Sequence, residues 1–220
     1  MNNKHLLVAA TKKEIVFPFE SNENKSKLVQ SYYNVTPDFA LLFTGVGQFN
    51  TIKTLLNYIH TCGKPLDLIN IGVAGSFTPT LEPGSICKIT TDTAANQIVE
   101  RSNKILTWQE AGIPEAEKNT FTPQPPSWSN GLDLVEAIGI TTDTITDDPQ
   151  KIQKLRNHFN ADTESMEGAA VFYIAEQLGL PAIQIRSISN MVGESNKKGW
   201  KLDEAIEVLA KFVTEKIIKP

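Results

Sequence analysis

The stretch ADTESMEGAAVFYIAEQLGLPAIQIRSISN, residues 161–190, carries in order the signals of a strand, a helix and a second strand. We predict a short strand over Asp162–Ser165 and a helix over Met166–Leu178, which Gly179 ends because glycine readily follows a last helical turn. The apolar, isoleucine-rich run Ala182–Ile188 predicts a buried strand. A strand, a helix and a strand in succession are typical of α/β proteins with a largely buried sheet.

The alternation of strands and helices continues outward towards both ends of the chain. Further strands are predicted over His5–Ala10, Phe39–Thr44, Leu66–Ile71, Ser85–Thr90 and Gly139–Ile145. One further helix is predicted where Ile52, Leu55, Leu56 and Ile59 share a face, and a second from Asp148 and Pro149 to His158. A last helix is predicted after Asp203, with Ile206, Leu209 and Val213 facing the core. The proline-rich region Thr91–Ser129 predicts long loops. The order predicts an α/β fold: a single domain over residues 1–220 with a mixed, twisted central β-sheet flanked by helices.

Length and composition limit the class of protein. A chain of 220 residues buries enough surface to fold without a disulfide or a metal, and a formal net charge of −4 argues against a general nucleic-acid or anionic-membrane surface. Cys62 and Cys87 form no CxxC pair, and the apolar run Leu6–Ala10 is too short for a secretory or membrane-spanning segment. We therefore expect a cytoplasmic protein whose partner is a small molecule rather than a nucleic acid or a membrane.

Three polar or glycine-rich clusters follow predicted strands, where open α/β sheets bind their ligands. They are TGVGQFN from Thr44, NIGVAGS from Asn70 and SISN from Ser187. Neither glycine-rich cluster matches GxGxxG or a P-loop, so a nucleotide phosphate is not the expected ligand. The sequence contains no GxSxG, HExxH or Cys–His arrangement, which weighs against serine-hydrolase, zinc-protease and cysteine-enzyme chemistry.

Two acidic residues and one amide admit both a structural and a functional interpretation. Glu167 opens the predicted helix, where the helix dipole alone favours a carboxylate, but it can also project into the crevice and accept two hydrogen bonds from a vicinal diol such as ribose. Glu14 stands beside Lys12 and Lys13, which is typical of a solvated surface. Asn190, taken alone, is typical of a turn. The residues by themselves leave these alternatives open.

Five motifs in chain order resemble those of the nucleoside phosphorylase and nucleosidase family. The family has a strand followed by a glutamate, a GxG loop, a GxAG loop, an MExAA helix start and an RxIS[DN] strand end. Here these are Ala9–Glu14, Gly45–Gly47, Gly72–Gly75, Met166–Ala170 with Gly168 in place of the more usual alanine, and Arg186–Asn190. One match would be weak, whereas the ordered set extends over most of the chain.

The resemblance implies a nucleoside pocket with a role for each matched residue. Glu14 would be the general base that activates water, and Asn190 would donate to O6 and accept from a protonated N7 of a 6-oxopurine. Glu167, with Met166, would hold the ribose hydroxyls. The other residues that the resemblance places in the substrate site are Gly47, Val73, Ala74, Gly75, Ile145 and Ser189. Ile145, or a phenylalanine from elsewhere, would cover the base where relatives have an aromatic residue.

The resemblance also implies the reaction. Phosphorylases of the family place arginine and a hydroxyl around phosphate, whereas this sequence has Asn70 and Val73 at the matching positions. A dianion without charge-assisted donors is costly to bind, so these residues favour hydrolysis over phosphorolysis. The segments ESMEGAA, IRSISN and NKKGWKLDEAI are similar to those of futalosine hydrolases, which release hypoxanthine on an alternative menaquinone route. Methylthioadenosine or adenosylhomocysteine hydrolysis and a catalytically silent purine-binding role are the alternatives. No metal or organic cofactor is implied, and a homodimer or larger homo-oligomer is expected.

Overall fold

The sheet and its helices are seen in a computed structural model that describes residues 4–15, 23–24, 32–101, 104–194 and 199–219. The strands are β1 (His5–Ala9), β2 (Glu23–Asn24), β3 (Tyr32–Asn34), β4 (Phe39–Phe43), β5 (Leu68–Ser76), β6 (Ile86–Ala94), β7 (Ile98–Arg101), β8 (Lys104–Thr107), β9 (Thr120–Phe121), β10 (Val135–Thr141), β11 (Thr163–Ser165) and β12 (Ala182–Met191). The helices are α1 (Gln48–Cys62), α2 (Pro149–Phe159), α3 (Gly168–Leu178) and α4 (Leu202–Val213). The predicted α/β fold with a mixed central sheet is confirmed.

Ten strands form one mixed sheet in the order β11-β10-β6-β12-β5-β1-β4-β3-β2, with β9 paired to β6, while β7 and β8 form a separate hairpin. Strand β11 pairs in parallel with β10 and antiparallel with β5. This second pairing closes β11, β10, β6, β12 and β5 into a ring, so part of the sheet has the form of a small barrel. The closure places Gly75 of β5 between Glu164 of β11 and Asn190 of β12.

The apolar core lies on both faces of the sheet because the side chains of a strand alternate between its faces. In β1, Leu6 and Val8 belong to one buried cluster, and Leu7 and Ala9 belong to another. Helices α1 and α3 contribute to the first cluster and α4 contributes to the second. In the described part of the chain, none of the helices is both long and apolar enough to span a bilayer.

Three strands extend further than the sequence predicts, and one of them is β6, predicted over Ser85–Thr90 and observed over Ile86–Ala94. The strand predicted to stop at Ile71 continues to Ser76, because β12 pairs with it along its whole length and supplies the missing ladder partners. The isoleucine-rich strand continues from Ile188 to Met191, so Ser189 and Asn190 lie within a strand rather than after it. Both side chains are buried and hydrogen-bonded, which is why polar residues are tolerated there.

The bounds of several later elements also differ from the prediction. The strand predicted over Gly139–Ile145 is observed over Val135–Thr141, and the strand predicted over Asp162–Ser165 is observed over Thr163–Ser165. The helix predicted over Met166–Leu178 is observed over Gly168–Leu178, and the helix predicted after Asp203 is observed over Leu202–Val213. Glu167 is the non-helical cap of α3, with φ −131°, so the helix begins after it. The start of α2 is confirmed, since Asp148 accepts a hydrogen bond from the backbone N of Gln150 at 2.9 Å.

The region Thr91–Ser129 contains regular structure as well as the predicted long loop, which covers residues 108–119. It includes the end of β6, the β7–β8 hairpin and β9. Ile105 of the hairpin is buried in a small apolar cluster with Ile140 of β10, and this packing stabilises the hairpin. The prolines that suggested loops interrupt none of these strands, because they lie between or after them.

Candidate active site

A cavity of about 390 Å³ opens at the carboxyl ends of β1, β5 and β12, where the ends of neighbouring strands meet. Strand β11, the segment after β4 and the start of α3 complete its wall. Nine of the ten residues predicted for the substrate site line it, namely Glu14, Val73, Ala74, Gly75, Ile145, Met166, Glu167, Ser189 and Asn190. The tenth, Gly47, lies one hydrogen bond away from Glu167. The structure thus brings together residues from five separate parts of the sequence in the cavity wall, and Gly47 beside it is a sixth.

Glu14 lies in the 3₁₀ turn Lys12–Glu14 that follows β1. Its Oε2 accepts hydrogen bonds from the backbone N of Thr11 at 2.8 Å and from the Thr11 hydroxyl at 3.4 Å. Its Oε1 approaches Gly72 of β5, where a Cβ atom would lie 3.2 Å away. Glu14 is therefore half-buried in the cavity wall, with one carboxylate oxygen held by the turn, rather than solvated beside its lysine neighbours.

Glu167 is buried at the start of α3 and lines the same cavity. Its Oε1 accepts a hydrogen bond from the backbone N of Gly47 at 3.0 Å. Burial raises the pKa of this carboxyl, whereas the charge of Arg186 and the Gly47 N–H lower it, and the nearby charge of Glu14 raises it further. Two carboxylates that are far apart in sequence therefore influence each other across one cavity.

The loop after β4 is held against the cavity from two sides. Gly47 has φ +90°, a backbone conformation that favours glycine, and it donates to Glu167 on one side. On the other side, Asp143 accepts from the backbone N and the side-chain Nε2 of Gln48, both at 3.1 Å. Asp143 was missed in the sequence because a lone acid after a strand carries no signal of its partner.

Asn190 has a side chain whose orientation is fixed by its neighbours. Its Oδ1 accepts from the Ser189 hydroxyl at 2.7 Å, and its Nδ2 donates to the backbone carbonyl of Met191 at 3.0 Å. One N–H and one lone pair of the amide remain for a ligand. Gly75 keeps the space beside it open, because a Cβ atom there would lie 3.3 Å from Asn190 Nδ2 and 2.9 Å from Val192 Cγ2.

Ile145 and an aromatic side chain lie at the cavity, where the sequence predicts a cover for the base. Ile145 follows β10 and is 61% exposed at the cavity. Among the described lining residues there is no phenylalanine, and the aromatic side chain is Trp200, whose Nε1 donates to the carbonyl of Glu194 at 3.0 Å. Trp200 belongs to the segment NKKGWKLDEAI, of which residues 196–198 lie outside the described residues. The sequence prediction did not include Trp200, because nothing local indicates that it reaches the cavity.

A buried polar network lies beneath the start of α3. Asp92 accepts from Gln184 Nε2 at 3.1 Å and from Thr141 Oγ1 at 2.8 Å, and Thr141 in turn accepts from the backbone N of Ala169 at 2.7 Å. Burial raises the pKa of Asp92 to about 6, although these hydrogen bonds act to lower it. A Cβ atom on Gly168 would overlap Asp92 Oδ2 and Gln184 Oε1, which explains why glycine stands here in place of alanine.

Arg186 is a fully buried cation behind the cavity. Its Nη2 donates to the side-chain oxygen of Asn70 and to that of Gln184, the latter at 3.2 Å. Its Nη1 would overlap a Cβ atom on Gly72, so glycine at this position makes room for the guanidinium. Asn70 is buried and also donates to the carbonyl of Val8 at 3.0 Å, so it is engaged inside the sheet rather than offered to a ligand.

The described cavity lining is strongly acidic. It contains five carboxyl residues and no lysine, arginine or histidine; the acids are Glu14, Asp147, Glu164, Glu167 and Glu194. In the part of the chain that the structure describes, no group of three or more His, Cys, Asp or Glu side chains is arranged to hold a metal. Such a lining suits a ligand that carries or develops positive charge and disfavours an anion.

The family profile described as "Phosphorylase superfamily" matches residues 6–218 of the chain. The chain is 26% identical over 180 residues to futalosine hydrolase of Thermus thermophilus, covering 80% of this chain and 79% of that protein. It is 30% identical over 186 residues to 5′-methylthioadenosine/S-adenosylhomocysteine nucleosidase of Bacillus velezensis, covering 81% of this chain and 78% of that protein.

A solved structure is similar over almost the whole chain. It is the 5′-methylthioadenosine/S-adenosylhomocysteine nucleosidase of Helicobacter pylori with butyl-thio-DADMe-Immucillin-A, with a TM-score of 0.81 and 20% identity. The similarity covers 100% of this chain and 99% of that chain. At this identity the likeness shows the fold, and the family assignment comes from the sequence comparisons.

Proposed function

Because the chain belongs to the phosphorylase superfamily, we propose that it hydrolyses the N-glycosidic bond of a purine nucleoside. The proposed substrate is a 6-oxopurine nucleoside, futalosine, which would give hypoxanthine and dehypoxanthine futalosine for menaquinone biosynthesis. The observation that carries the proposal is the acidic cavity in which Glu14 and Glu167 meet. A cytoplasmic location is part of the proposal, since Cys62 and Cys87 are both free thiols.

Water, rather than phosphate, is the proposed nucleophile. The described lining offers an incoming dianion no lysine, arginine or histidine, and its carboxylates would repel it. Glu14 is held by Thr11 through one oxygen, which leaves the other able to accept a proton from water. A positioned general base of this kind typically contributes roughly 10²–10⁴-fold to the rate.

Ribose binding is assigned to Glu167, with Met166 beside it in the cavity wall. The Gly47 N–H holds one carboxylate oxygen of Glu167, so the side chain is pre-oriented before a vicinal diol arrives. As the glycosidic bond breaks, the ribose becomes oxocarbenium-like. Carboxylates close to that ring stabilise the developing positive charge.

Base recognition is assigned to Asn190. Its remaining N–H can donate to O6 of a 6-oxopurine, and its remaining lone pair can accept from a protonated N7. The Met191 carbonyl prevents the amide from exchanging its two ends, because a flipped amide would present an oxygen to that carbonyl, which can only accept. This arrangement supports a 6-oxopurine over the 6-aminopurine named in the nucleosidase relatives.

A homodimer or larger homo-oligomer is proposed from the exposed apolar side chains next to the cavity. Phe49 is 86% exposed on the first turn of α1, with Leu56 two turns further along and Val46 at the cavity rim. Exposed apolar side chains grouped in this way are typical of an interface. Sedimentation equilibrium tests the proposal, and a monomer at working concentrations would contradict it.

The proposed reaction is tested by chromatography of products after incubation with futalosine, aminodeoxyfutalosine, methylthioadenosine and inosine in separate reactions. We expect hypoxanthine from futalosine as the fastest release of base. Adenine released from methylthioadenosine in preference would support the alternative nucleosidase activity instead. Release of no base from any of the four would contradict enzymatic hydrolysis and leave a purine-binding role.

A further inference from the structure

The first turn of α3 is capped by a residue from another strand. Glu167 occupies the cap position of the helix, yet its side chain makes no cap hydrogen bond, and its Oε1 accepts from the backbone N of Gly47 instead. A cap side chain usually accepts from the backbone N–H of the second or third helical residue. Here the acceptor is the hydroxyl of Thr141 in β10, which lies 2.7 Å from the backbone N of Ala169, the second residue of α3.

The Thr141 hydroxyl is itself oriented by Asp92. A hydroxyl has one hydrogen, and Thr141 donates it to Asp92 Oδ1 at 2.8 Å while a lone pair receives the Ala169 N–H. Gln184 Nε2 donates to Asp92 Oδ2 at 3.1 Å, so each carboxylate oxygen has a donor. The Thr141 hydroxyl therefore cannot turn away from α3 without losing a buried hydrogen bond.

A buried charge of opposite sign completes the arrangement. Gln184 Oε1 accepts from Arg186 at 3.2 Å, so one amide joins the buried cation to the buried carboxylate. A Cβ atom on Gly139 would lie 3.0 Å from Asp92 Oδ2, and one on Gly168 would overlap it, so two glycines leave the space that this carboxylate occupies. Apolar residues of similar size often stabilise a protein as well as a buried ion pair does. Stability alone therefore does not explain Asp92, whereas a positioning role does.

We propose that Thr141 and Asp92 are positioning residues that cap α3 from outside the helix, so that the carboxylate of Glu167 is left for the ribose. The inference rests on the proposed function. A carboxylate that capped its own helix would turn towards the helical N–H groups and away from the cavity. With the cap supplied by β10, Glu167 is held through one oxygen by the Gly47 N–H and keeps the other for a vicinal diol. Loss of the outside cap should therefore weaken the contacts with ribose and leave those with the base unchanged.

Calorimetric titration with hypoxanthine, inosine and 2′,3′-dideoxyinosine tests the inference, with Glu14→Gln as the parent protein so that turnover does not consume the nucleoside. Adding Thr141→Val keeps the shape of the side chain and removes the hydroxyl. We expect it to weaken inosine binding roughly 3- to 30-fold and to leave the affinities for hypoxanthine and 2′,3′-dideoxyinosine unchanged. Thr141→Ser keeps the hydroxyl and should restore inosine binding. Asp92→Asn sets an N–H group against one of the two donors and should behave like Thr141→Val.

Thr93→Val is the matched control, because Thr93 is a buried threonine of β6 whose hydroxyl bonds to that of Thr120 at 3.0 Å rather than to α3. It should keep the affinities of the parent protein. Hydrogen exchange of the Ala169 amide, followed by NMR without any ligand, should be faster in the Thr141→Val and Asp92→Asn proteins than in the control.

Two results would overturn the inference. One is an unchanged ratio of inosine to 2′,3′-dideoxyinosine affinity in both the Thr141→Val and Asp92→Asn proteins. The other is an equal loss of hypoxanthine and inosine binding, which would indicate general damage to the fold. The parent protein reports on the proposed function separately: if it does not distinguish inosine from 2′,3′-dideoxyinosine, ribose binding by Glu167 is contradicted, and the inference with it.

Discussion

Replacing Gly168 with alanine should destabilise the protein and weaken substrate binding, because the start of α3 has no room for a side chain. A Cβ atom there overlaps Asp92 Oδ2 and Gln184 Oε1 and lies 2.9 Å from Gln184 Cδ. Neither neighbour is free to move. Asp92 is held by Thr141 at 2.8 Å and by Gln184 at 3.1 Å, and Gln184 also accepts from Arg186 at 3.2 Å.

The size of the effect follows from this overlap. Overpacking of a buried site costs about 1–3 kcal/mol, and in a protein of this size each kcal/mol corresponds to about 2–4 °C in the unfolding temperature. We therefore expect the Gly168→Ala variant to unfold about 2–12 °C lower than wild type. A displaced α3 would also carry Glu167 away from the backbone N of Gly47, so KM for the nucleoside should rise.

Thermal unfolding followed by circular dichroism and steady-state kinetics on the same samples provide the assay. Gly131→Ala is the matched control, because a Cβ atom at Gly131 meets nothing within 4 Å. The control should change the free energy of unfolding by less than about 0.5 kcal/mol. Equal stability and equal KM in the two variants would refute the argument that Asp92 and Gln184 exclude a side chain at position 168.

Three other substitutions give direct tests. Glu14→Gln should lower kcat by roughly 10²–10⁴-fold and leave nucleoside binding intact, as judged by calorimetry, because it removes the proposed general base; near-normal turnover would exclude that role. Asn190→Asp should shift kcat/KM from futalosine towards aminodeoxyfutalosine, since an acid facing the Met191 carbonyl must hold a proton there, and an unchanged ratio would count against base recognition by Asn190. Burial raises the pKa of Glu164 from 4.5 to about 7, so the folded state favours the neutral carboxyl. The neutral carboxyl's contribution to the free energy of unfolding is present below pH 4.5 and is lost as the pH rises through about 7. The Glu164→Gln side chain is neutral at every pH, so the unfolding temperature of this variant should rise relative to that of wild type between about pH 4 and pH 8. A difference that stays constant with pH would contradict the raised pKa of Glu164.

The order of strands and helices could be predicted because burial imposes a period on the sequence. Leu6 to Ala9 alternate between the two faces of the sheet, and Ile206, Leu209 and Val213 of α4 are buried on one side, as the helical spacing predicts. The ends of elements were less predictable. Strand β12 continues through Asn190 because buried partners satisfy its polar side chains, and no local pattern announces those partners.

The parts of the site that the sequence did not reveal depend on contacts between distant segments. Strand β11 has three residues, yet its pairing with β5 closes the ring and brings Glu164 to the cavity. Asp143 and Trp200 likewise reach the site through folding rather than through sequence proximity. Position 168 requires glycine because Asp92, far earlier in the chain, lies where a Cβ atom would be, and only the folded structure shows this contact.

The central claim is that an acidic cavity directs water, and not phosphate, to the anomeric carbon of the nucleoside. The most direct test is to follow base release from futalosine in the presence and absence of inorganic phosphate, with phosphorus NMR of the sugar product. We predict the same rate in both conditions and a product with a free anomeric hydroxyl. A rate that depends on phosphate, together with a sugar 1-phosphate signal, would contradict the account.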